Sequence, residues 1–578
     1  MGGKVDVSIN QTRGPRTFKL FGQNYHQIGS LLPPVGSTPK FAQLYIYDTE
    51  NEVQNRMLHG QHLNKLHAEI VADLKKMLDG HNILAKTFRM VRDRFQEDGS
   101  SNVRLRLIGK RNTDGRRYNL PTVSEVATLV VGDFELSMCD RDIIIETQSE
   151  QLQRINELNA AYFGLQYPLL FPYGEDGYRE DIPLNEDGEP TVGRKCVGMR
   201  EFFAYKSQDR KGEVPTIVSA RRLFRQFLVD AYTMIESGRL KYYRTHQKQL
   251  RVAMYKGLEE AVLNGETTLK GRELFYRQTS QWPEILRHVT SRGLNLEDRP
   301  DILSRVFKIK LDRLIKDLRD NKVFGAVKSV LTVPLAVLIF MRGAITTGWE
   351  LGCDITAEIP DETIDPHYYR AVKSFMMHGP CGSARKSSPC MQNGRCTKHF
   401  PKKFTKSTTI DEDGYPIYRR RDSGRTIKKD GIDLDNRYVV PHNRFLLLKY
   451  GAHINVEWCN QSRSIKYLFK YVNKGNDRAT AAFSRSVQEE GSSVVDAINM
   501  YCDCRYISPC EAAWRIFEFP IHYRQPYVER LSFHLPNEQH VIFSDDDPID
   551  DVANRPTVRE SMFLSWFETN KHLLKQEN

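Results

Sequence analysis

One segment, Leu446–Gly475, constrains the fold of this 578-residue chain more than any other. Its residues 453–458 alternate between apolar and polar side chains, which is typical of a β-strand. Tyr467 and Tyr471 follow four residues apart, with Lys474 three residues further on. On an α-helix this spacing places the two phenols and the ammonium group on one face. The segment therefore predicts a strand followed by a short amphipathic helix with a C-terminal glycine cap.

Two interpretations fit the tyrosine pair. A strand followed by a helix that presents two phenols and a cation could attack and hold a phosphate group. The same spacing is typical of the buried stripe of an ordinary core helix, and spacing alone favours that second interpretation. The residues by themselves leave both interpretations open.

Long stretches of the sequence, from about Thr17 onward, resemble the replication-initiator region of Helitron transposases. Helitrons are rolling-circle transposons, and their transposases are often described as helicase-like. The matching stretches are the tyrosine segment, FGQNYHQIGSLLPP (21–34), FAQLYIYDTENEVQNR (41–56), LQYPLLFPYGEDGY (165–178), HGPCG (378–382) and GYPIYRRRDSGRT (414–426). The resemblance implies an antiparallel sheet with flanking helices. We therefore predict an α+β fold, with a degenerate initiator core and a helical, loop-rich N-terminal region.

The resemblance also implies a chemistry for the tyrosines. The family pattern YLxKYxxK supplies the nucleophiles and maps onto Tyr467 and Tyr471, with Lys474 alongside. One tyrosine would attack a DNA phosphate to give a 5′-phosphotyrosyl link, and the second would permit a further transfer. A phenol with a pKa of about 10 is a poor nucleophile at neutral pH, so the reaction needs Mg²⁺ or Mn²⁺ to polarise the phosphate.

The strand that binds this metal in the family is altered here. Members of the family use a His-hydrophobic-His pair, and this sequence contains no His-x-His. The pair is expected between residues 323–329 and 357–362. If Val337–Phe340 is the surviving end of the strand, the histidine positions fall on Pro334 and Ala336, which cannot bind a cation. We therefore expect metal-dependent nicking and joining to be impaired.

Two further family features are missing. A strand rich in phenylalanine and threonine is absent before Trp282, and no Gly-x4-Gly-Lys-Ser/Thr loop occurs, so we expect no ATP site in this chain. The helicase domain of the family is expected to lie outside it. These losses indicate either a decayed transposable element or misassigned exon boundaries in a predicted gene.

Three hypotheses stay open, and we rank them in this order. The chain is a fragment that binds DNA but cannot cut it, or an active tyrosine nickase and strand transferase with substitute metal ligands, or a non-functional relic that does not fold stably. For the second hypothesis the substitute ligands could be His442, His453 and Glu457.

A group of cysteines and histidines indicates a metal site of another kind. Five candidate zinc ligands lie within 22 residues: His378, Cys381, Cys390, Cys396 and His399. Zinc needs four ligands in a tetrahedron, and a loop-rich segment can supply them. The alternative is that these cysteines are buried free thiols, since the spacing matches no common zinc finger.

The same region is rich in basic residues. Between Arg385 and Lys429 basic residues far outnumber acidic ones, and Tyr415 and Tyr418 lie among them. Such a surface suits contact with the backbone and bases of single-stranded DNA. The candidate DNA-binding residues are Lys402, Lys403, Arg419, Arg420, Arg421 and Arg425. The alternative is a solvated loop whose charges serve only solubility.

The overall composition agrees with a nucleic-acid partner. Lysine and arginine number 84 against 73 aspartates and glutamates, which gives a formal net charge of +11. Ten scattered cysteines without a signal peptide indicate a reducing compartment. We see no membrane-spanning segment and no evident small-molecule substrate. The family resemblance implies the nucleus as the location.

We divide the chain into four regions. Residues 1–180 form an N-terminal α/β region, 181–300 a mainly helical region, and 301–480 the degenerate initiator region with the Cys/His-rich basic insert 378–430. Residues 481–578 form a C-terminal extension toward the absent helicase domain. Individual elements are also predicted: helices over 61–78, 219–264 and 307–320, and strands over 103–108, 143–146 and 330–341.

Overall fold

The computed structural model describes residues 4–6, 18–21, 25–59, 66–98, 103–108, 127–131, 143–146, 153–156, 159–184, 195–245, 282–321, 323–324, 327–333, 336–341, 355–388, 390–412, 415–457, 505–520, 523–525, 531, 533–535 and 561–576. The chain divides into two compact units. The first comprises residues 1–250, 293–304 and 479–519, and the second comprises 251–292, 305–478 and 520–578.

The first unit combines helices with small antiparallel sheets. Its helices are Glu52–His59, Ala68–His81, Ile83–Asp98, Tyr162–Gln166, Met199–Lys206, Thr216–Ser219, Arg222–Thr245 and Pro509–Ile516, with 3-10 turns at Phe41–Tyr45 and Leu296–Asp298. Strand Phe18–Phe21 lies between Lys4–Asp6 and Arg505–Ile507, strand Val103–Leu107 lies between Ala127–Val131 and Ile143–Glu146, and Tyr25–Ile28 pairs with Gln153–Asn156.

Aromatic side chains fill the core of this unit. Phe163, Phe203 and Phe227 are fully buried, and the ring centroids of Phe163 and Phe203 lie 5.2 Å apart. The Tyr167 hydroxyl donates a hydrogen bond to the Asp230 carboxylate inside this core. Burial raises the pKa of Asp230. A large apolar cluster therefore holds the first unit together, and the Tyr167–Asp230 pair is buried inside it.

The second unit consists of short elements and many loops. Its helices are Pro283–Thr290, Pro366–Ala371, a π-turn at Val372–Met376, a 3-10 turn at Asn436–Tyr438, Arg444–Tyr450 and Met562–Gln576, and helix Pro300–Arg319 crosses the division between the units. Strand Val327–Val333 lies between Tyr523–Gln525 and Ala336–Met341, and three two-stranded hairpins pair Met391–Gln392 with Arg395–Cys396, Thr409–Ile410 with Pro416–Ile417, and Ile427–Lys429 with Ile432–Leu434.

A compact apolar cluster supports these loops. Val372, Met376, Ile427, Val439 and Leu447 are almost completely buried in it. The helix Arg444–Tyr450 packs onto the cluster and ends at a glycine with φ +53°, the left-handed conformation that suits a helix C-terminus. The loops that carry the Cys/His-rich segment thus rest on their own small core.

The mixture of helices and small antiparallel sheets confirms the predicted α+β class. The strands predicted at 103–108 and 143–146 and the helix predicted at 307–320 are present, although the helix begins earlier, at Pro300. The single strand predicted over 330–341 is instead two strands, Val327–Val333 and Ala336–Met341, which pair with each other. The initiator core and the four-region division stay predictions. Within the described residues, no helix is both long and apolar enough to span a bilayer.

Two local predictions differ from the structure. Residues 453–457 form no regular strand, because their main hydrogen bond runs from the Val456 amide to the Pro441 carbonyl oxygen rather than to a neighbouring strand. In the helix Ala68–His81, Ile70 is 55% exposed and Leu78 is buried. The helical spacing of Ile70, Leu74 and Met77 predicts a buried face, but Leu74 and Met77 are only half-buried.

Candidate metal centre and basic surface

The structure brings four of the five predicted zinc ligands together. One ligand atom from each of His378, Cys381, Cys390 and Cys396 lies within 4.8 Å of all the others. Within the part of the chain that the structure describes, this His/Cys cluster is the only group of three or more such residues that could hold a metal ion. His399, the fifth candidate, is exposed and outside the group.

A β-hairpin positions Cys390 and Cys396. Strands Met391–Gln392 and Arg395–Cys396 are joined by a two-residue turn, Asn393-Gly394, with φ +51° and +75°. Positive φ at both central residues defines a type I′ turn, and Asn-Gly is its preferred sequence. The Thr397 amide donates to the Cys390 carbonyl oxygen at 2.8 Å, which closes the hairpin behind the two ligands.

The other two ligands lie on a segment that follows the π-turn. The amide of His378 donates to the Tyr438 carbonyl oxygen at 2.9 Å, and Met377 forms a β-bridge with Val439, which is part of the apolar cluster. Gly379 has φ +94°, and a Cβ there would lie 3.0 Å from the Cys381 amide nitrogen. The chain can therefore turn sharply between the two ligands only because this residue is glycine.

One distance between ligand atoms is close to the value for a shared zinc ion. Tetrahedral coordination at about 2.3 Å from sulfur and about 2.0 Å from nitrogen places ligand atoms about 3.5–3.8 Å from one another. His378 Nε2 and Cys396 Sγ are 3.3 Å apart. The His378 ring also stacks on Phe400, with ring centroids 4.1 Å apart, which holds the imidazole in place. Three sulfurs and one imidazole form a common donor set of structural zinc sites.

The pKa values of the cluster are also compatible with zinc binding. Burial, assisted by the nearby Lys429 cation, lowers the pKa of His378 to about 4, so its imidazole is neutral at pH 7. Burial raises the pKa of Cys381 to about 12 and also raises that of Cys390. Burial acts on Cys396 in the same direction, but the backbone amides of Phe400 and Lys398 outweigh it and lower the pKa of Cys396. A bound zinc ion would stabilise all three thiolates and displace the thiol protons.

The predicted DNA-binding residues fall into different environments. Arg420 is only 3% exposed, and its Nη1 lies 2.6–3.2 Å from the carbonyl oxygens of Ala357, Asn436 and Val439. Its guanidinium group therefore binds the protein's own backbone instead of facing solvent as expected. Lys402 is half-buried, and Lys403 is exposed.

The three remaining predicted arginines are exposed but hold acidic partners. Arg421 makes a two-pronged contact with Glu358, at 2.9 and 2.7 Å, and Arg419 approaches the same carboxylate at 3.4 Å. Arg425 binds Asp361 at 2.7 Å. Each of these guanidinium groups thus forms an ion pair with a carboxylate that a nucleic acid would have to displace.

Other basic residues near the His/Cys cluster have no such partner. Arg395 belongs to the hairpin, Lys398 follows Cys396 by two residues, and Lys403 and Lys406 lie further along the same loop. All four are exposed, and no described residue forms an ion pair with them. Arg395, Lys398 and Lys406 were not selected from the sequence, although their position beside the predicted metal ligands was a usable signal.

The predicted catalytic residues Tyr467, Tyr471 and Lys474 lie outside the described residues, so their role stays a prediction. The suggested substitute ligands do not form a metal-binding group. His442 is fully buried and hydrogen-bonds the Tyr368 hydroxyl at 2.8 Å, whereas His453 Nδ1 faces the Phe375 carbonyl oxygen at 2.6 Å. Glu457 is exposed and accepts a hydrogen bond from Asn455.

Comparison with known proteins adds one finding. Residues 202–279 and 277–333 match a family model described as "Helitron helicase-like domain at N-terminus". The match supports the resemblance of these residues to the Helitron family. The His/Cys cluster and the tyrosine segment lie outside the matched residues. No curated protein matches the chain.

Proposed function

We propose that this chain, which carries a Helitron helicase-like domain, binds single-stranded DNA through the basic surface around the His/Cys cluster. The observation that carries the proposal is a group of exposed cations in the same segment as a cluster with the donor set of a zinc site. These cations, which form no ion pair with any described residue, are Arg395, Lys398, Lys403 and Lys406. Phosphate contacts of this kind dominate the affinity of DNA-binding proteins.

The proposed zinc has a structural role. His378, Cys381, Cys390 and Cys396 would hold it, and all four tetrahedral positions would then be filled by protein ligands, with none open to substrate. When bound, the ion supplies a cross-link between the hairpin and the His378–Cys381 segment. The cations of the hairpin would thereby be held in fixed positions, which reduces the entropy lost on binding DNA.

For catalysis, the family resemblance assigns the nucleophiles to Tyr467 and Tyr471, with Lys474 beside them. The positions expected for the metal-binding histidines carry Pro334 and Ala336. We therefore propose that metal-dependent nicking and joining are impaired, and that Mg²⁺ or Mn²⁺ has a role only if the chain is active. A DNA-binding protein of a transposon family is expected to act in the nucleus.

A charge-removal series tests the DNA-binding proposal. The variant K398Q/K403Q/K406Q should raise the Kd for a labelled single-stranded oligonucleotide at least tenfold. It should also lower the magnitude of the slope of log K against log salt concentration by up to about 2, since each phosphate contact on a single strand contributes about 0.7 to that slope. Binding is measured by fluorescence anisotropy over a range of salt concentrations.

The matched control is K76Q/K86Q/K211Q, which removes three exposed lysines of the first unit. It should bind DNA like the wild-type chain. Equal losses of affinity in both variants would show that only net charge matters and would contradict a localised surface.

A further inference from the structure

One short loop holds four exposed arginines at once. Residues 358–365, which we call the acidic loop, carry three carboxylates that contact guanidinium groups. The arginines, which we call the arginine row, are Arg419, Arg421, Arg425 and Arg444. Their side chains are 46–60% exposed, whereas the three carboxylates are only 11–27% exposed. The cations therefore face solvent, and the anions lie beneath them.

The row arises from local backbone geometry. Arg420 points into the protein, and the isolated bridge between Thr405 and Arg420 marks extended backbone at this position. Because side chains alternate along extended backbone, Arg419 and Arg421 both project to the opposite side from Arg420. Both reach Glu358, which accepts Arg421 through Oε1 and Oε2 and Arg419 through Oε2.

The two aspartates are held by their own backbone. Asp361 Oδ1 accepts hydrogen bonds from the amide and hydroxyl of Thr363, and its Oδ2 binds Arg425. Asp365 Oδ1 caps the helix Pro366–Ala371 through the Tyr368 amide, and its Oδ2 binds Arg444. Each aspartate thus uses one oxygen to fix its position and offers the other to an arginine. The acidic loop therefore presents these two aspartates at set places without help from the arginines.

We infer that the acidic loop acts as an internal substitute for nucleic-acid phosphates, and that DNA binding at the arginine row displaces it. This inference rests on the proposed DNA-binding function and adds Arg444 to the surface. Exposed ion pairs are weak, at about 0.2–1 kcal/mol each. A DNA phosphate can also accept two parallel hydrogen bonds from an arginine, and it releases counterions on binding. The phosphates of a bound strand can therefore replace the carboxylates.

The test removes the charges of the three carboxylates that contact the arginine row but keeps their hydrogen bonds. In the variant E358Q/D361N/D365N, asparagine retains the acceptor for the Thr363 amide and the helix cap, since Asn caps helices as well as Asp does. The Kd for single-stranded DNA should fall about tenfold, because phosphates no longer compete with carboxylates for the row. Adding R419Q/R421Q/R425Q to this variant should cancel the gain.

The matched control is D73N/E412Q/D433N, which removes three exposed carboxylates that lie outside the acidic loop and form no ion pair with any described residue. It changes the net charge equally and should improve binding less than threefold. An equal gain in both variants would overturn the inference. If the wild-type chain binds DNA and E358Q/D361N/D365N binds no more tightly, the inference is wrong and the proposed function stands. If neither binds, the proposed function itself fails.

Folding of each variant is checked by thermal unfolding. Should the triple variant unfold, E358Q alone keeps the test decisive, because it releases Arg419 and Arg421 and leaves both aspartates in place. A gain of about threefold is expected from this single change. An unchanged Kd in a folded E358Q chain would contradict the inference.

Discussion

Arg420 and its two neighbours differ completely in role despite having the same side chain. Arg420 donates to backbone carbonyl oxygens inside the second unit, and Arg419 and Arg421 lie at the surface on Glu358. Burying a guanidinium group is costly unless its donors are satisfied, so Arg420 has a structural role. Three consecutive arginines in a sequence therefore cannot be counted as three DNA contacts.

His442 gives a prediction at the same scale. Its Nδ1 faces the Val440 carbonyl oxygen, which can only accept, so Nδ1 carries the proton and Nε2 accepts from the Tyr368 hydroxyl. Burial lowers the pKa of His442 from 6.5 to about 4. Between these values the unfolded chain binds the proton and the folded chain does not. The stability from the neutral imidazole is thus fully present above pH 6.5 and is lost as the pH falls toward 4.

In H442Q the part of the pH dependence that His442 contributes should be lost. On lowering the pH from 7 to 5, the free energy of unfolding should fall by about 2 kcal/mol more in the wild-type chain than in H442Q. The measurement is urea unfolding at both pH values. H367Q, which removes an exposed histidine of the same unit, should behave like the wild-type chain. Identical pH dependence in H442Q and the wild-type chain would contradict the prediction.

At the scale of elements, the hairpin between Cys390 and Cys396 decides whether the His/Cys cluster can form. The Asn393-Gly394 turn sets the register that pairs Met391 with Cys396. An alanine at Gly394, where φ is +75°, strains the turn by about 1 kcal/mol. Since zinc binding needs the closed hairpin, G394A should raise the zinc Kd about fivefold.

Competition with a chromogenic chelator measures that Kd, and the same titration gives the stoichiometry, expected at one zinc per chain. The control is G424A, because Gly424 also has positive φ, at +72°, and lies outside the hairpin. Its zinc affinity should equal that of the wild-type chain. Absence of zinc binding by the wild-type chain would favour the interpretation of buried free thiols.

For the whole molecule, the formal net charge of +11 is modest for 578 residues, and local pairing matters more than the total. Arg419, Arg421, Arg425 and Arg444 are neutralised by the acidic loop, whereas the cations beside the His/Cys cluster have no acidic partner among the described residues. An even distribution of charge would give weak, unlocalised binding. In the observed distribution, the arginine row is paired with carboxylates, whereas the cations beside the His/Cys cluster have no acidic partner among the described residues.

The activity of the full chain gives the last prediction. Incubated with end-labelled single-stranded DNA and Mg²⁺ or Mn²⁺, the chain should form no covalent adduct on a denaturing gel, because Pro334 and Ala336 cannot bind the metal. Y467F and Y471F are the controls. An adduct that disappears in these variants would show an active nickase with metal ligands from elsewhere, and would overturn the impairment.

The sequence alone was enough to predict the α+β class, the family resemblance, the strands at 103–108 and 143–146, and the set of residues from which the His/Cys cluster is drawn. These properties depend on side-chain type, periodicity and spacing, which are local. Only the tertiary structure decided that His399 stays outside the cluster, that Arg420 is buried while its neighbours are not, and that the carboxylates of the acidic loop cover the arginine row. Glu358 and Arg421 are 63 residues apart in the chain, and local patterns carry no information about contacts at that separation.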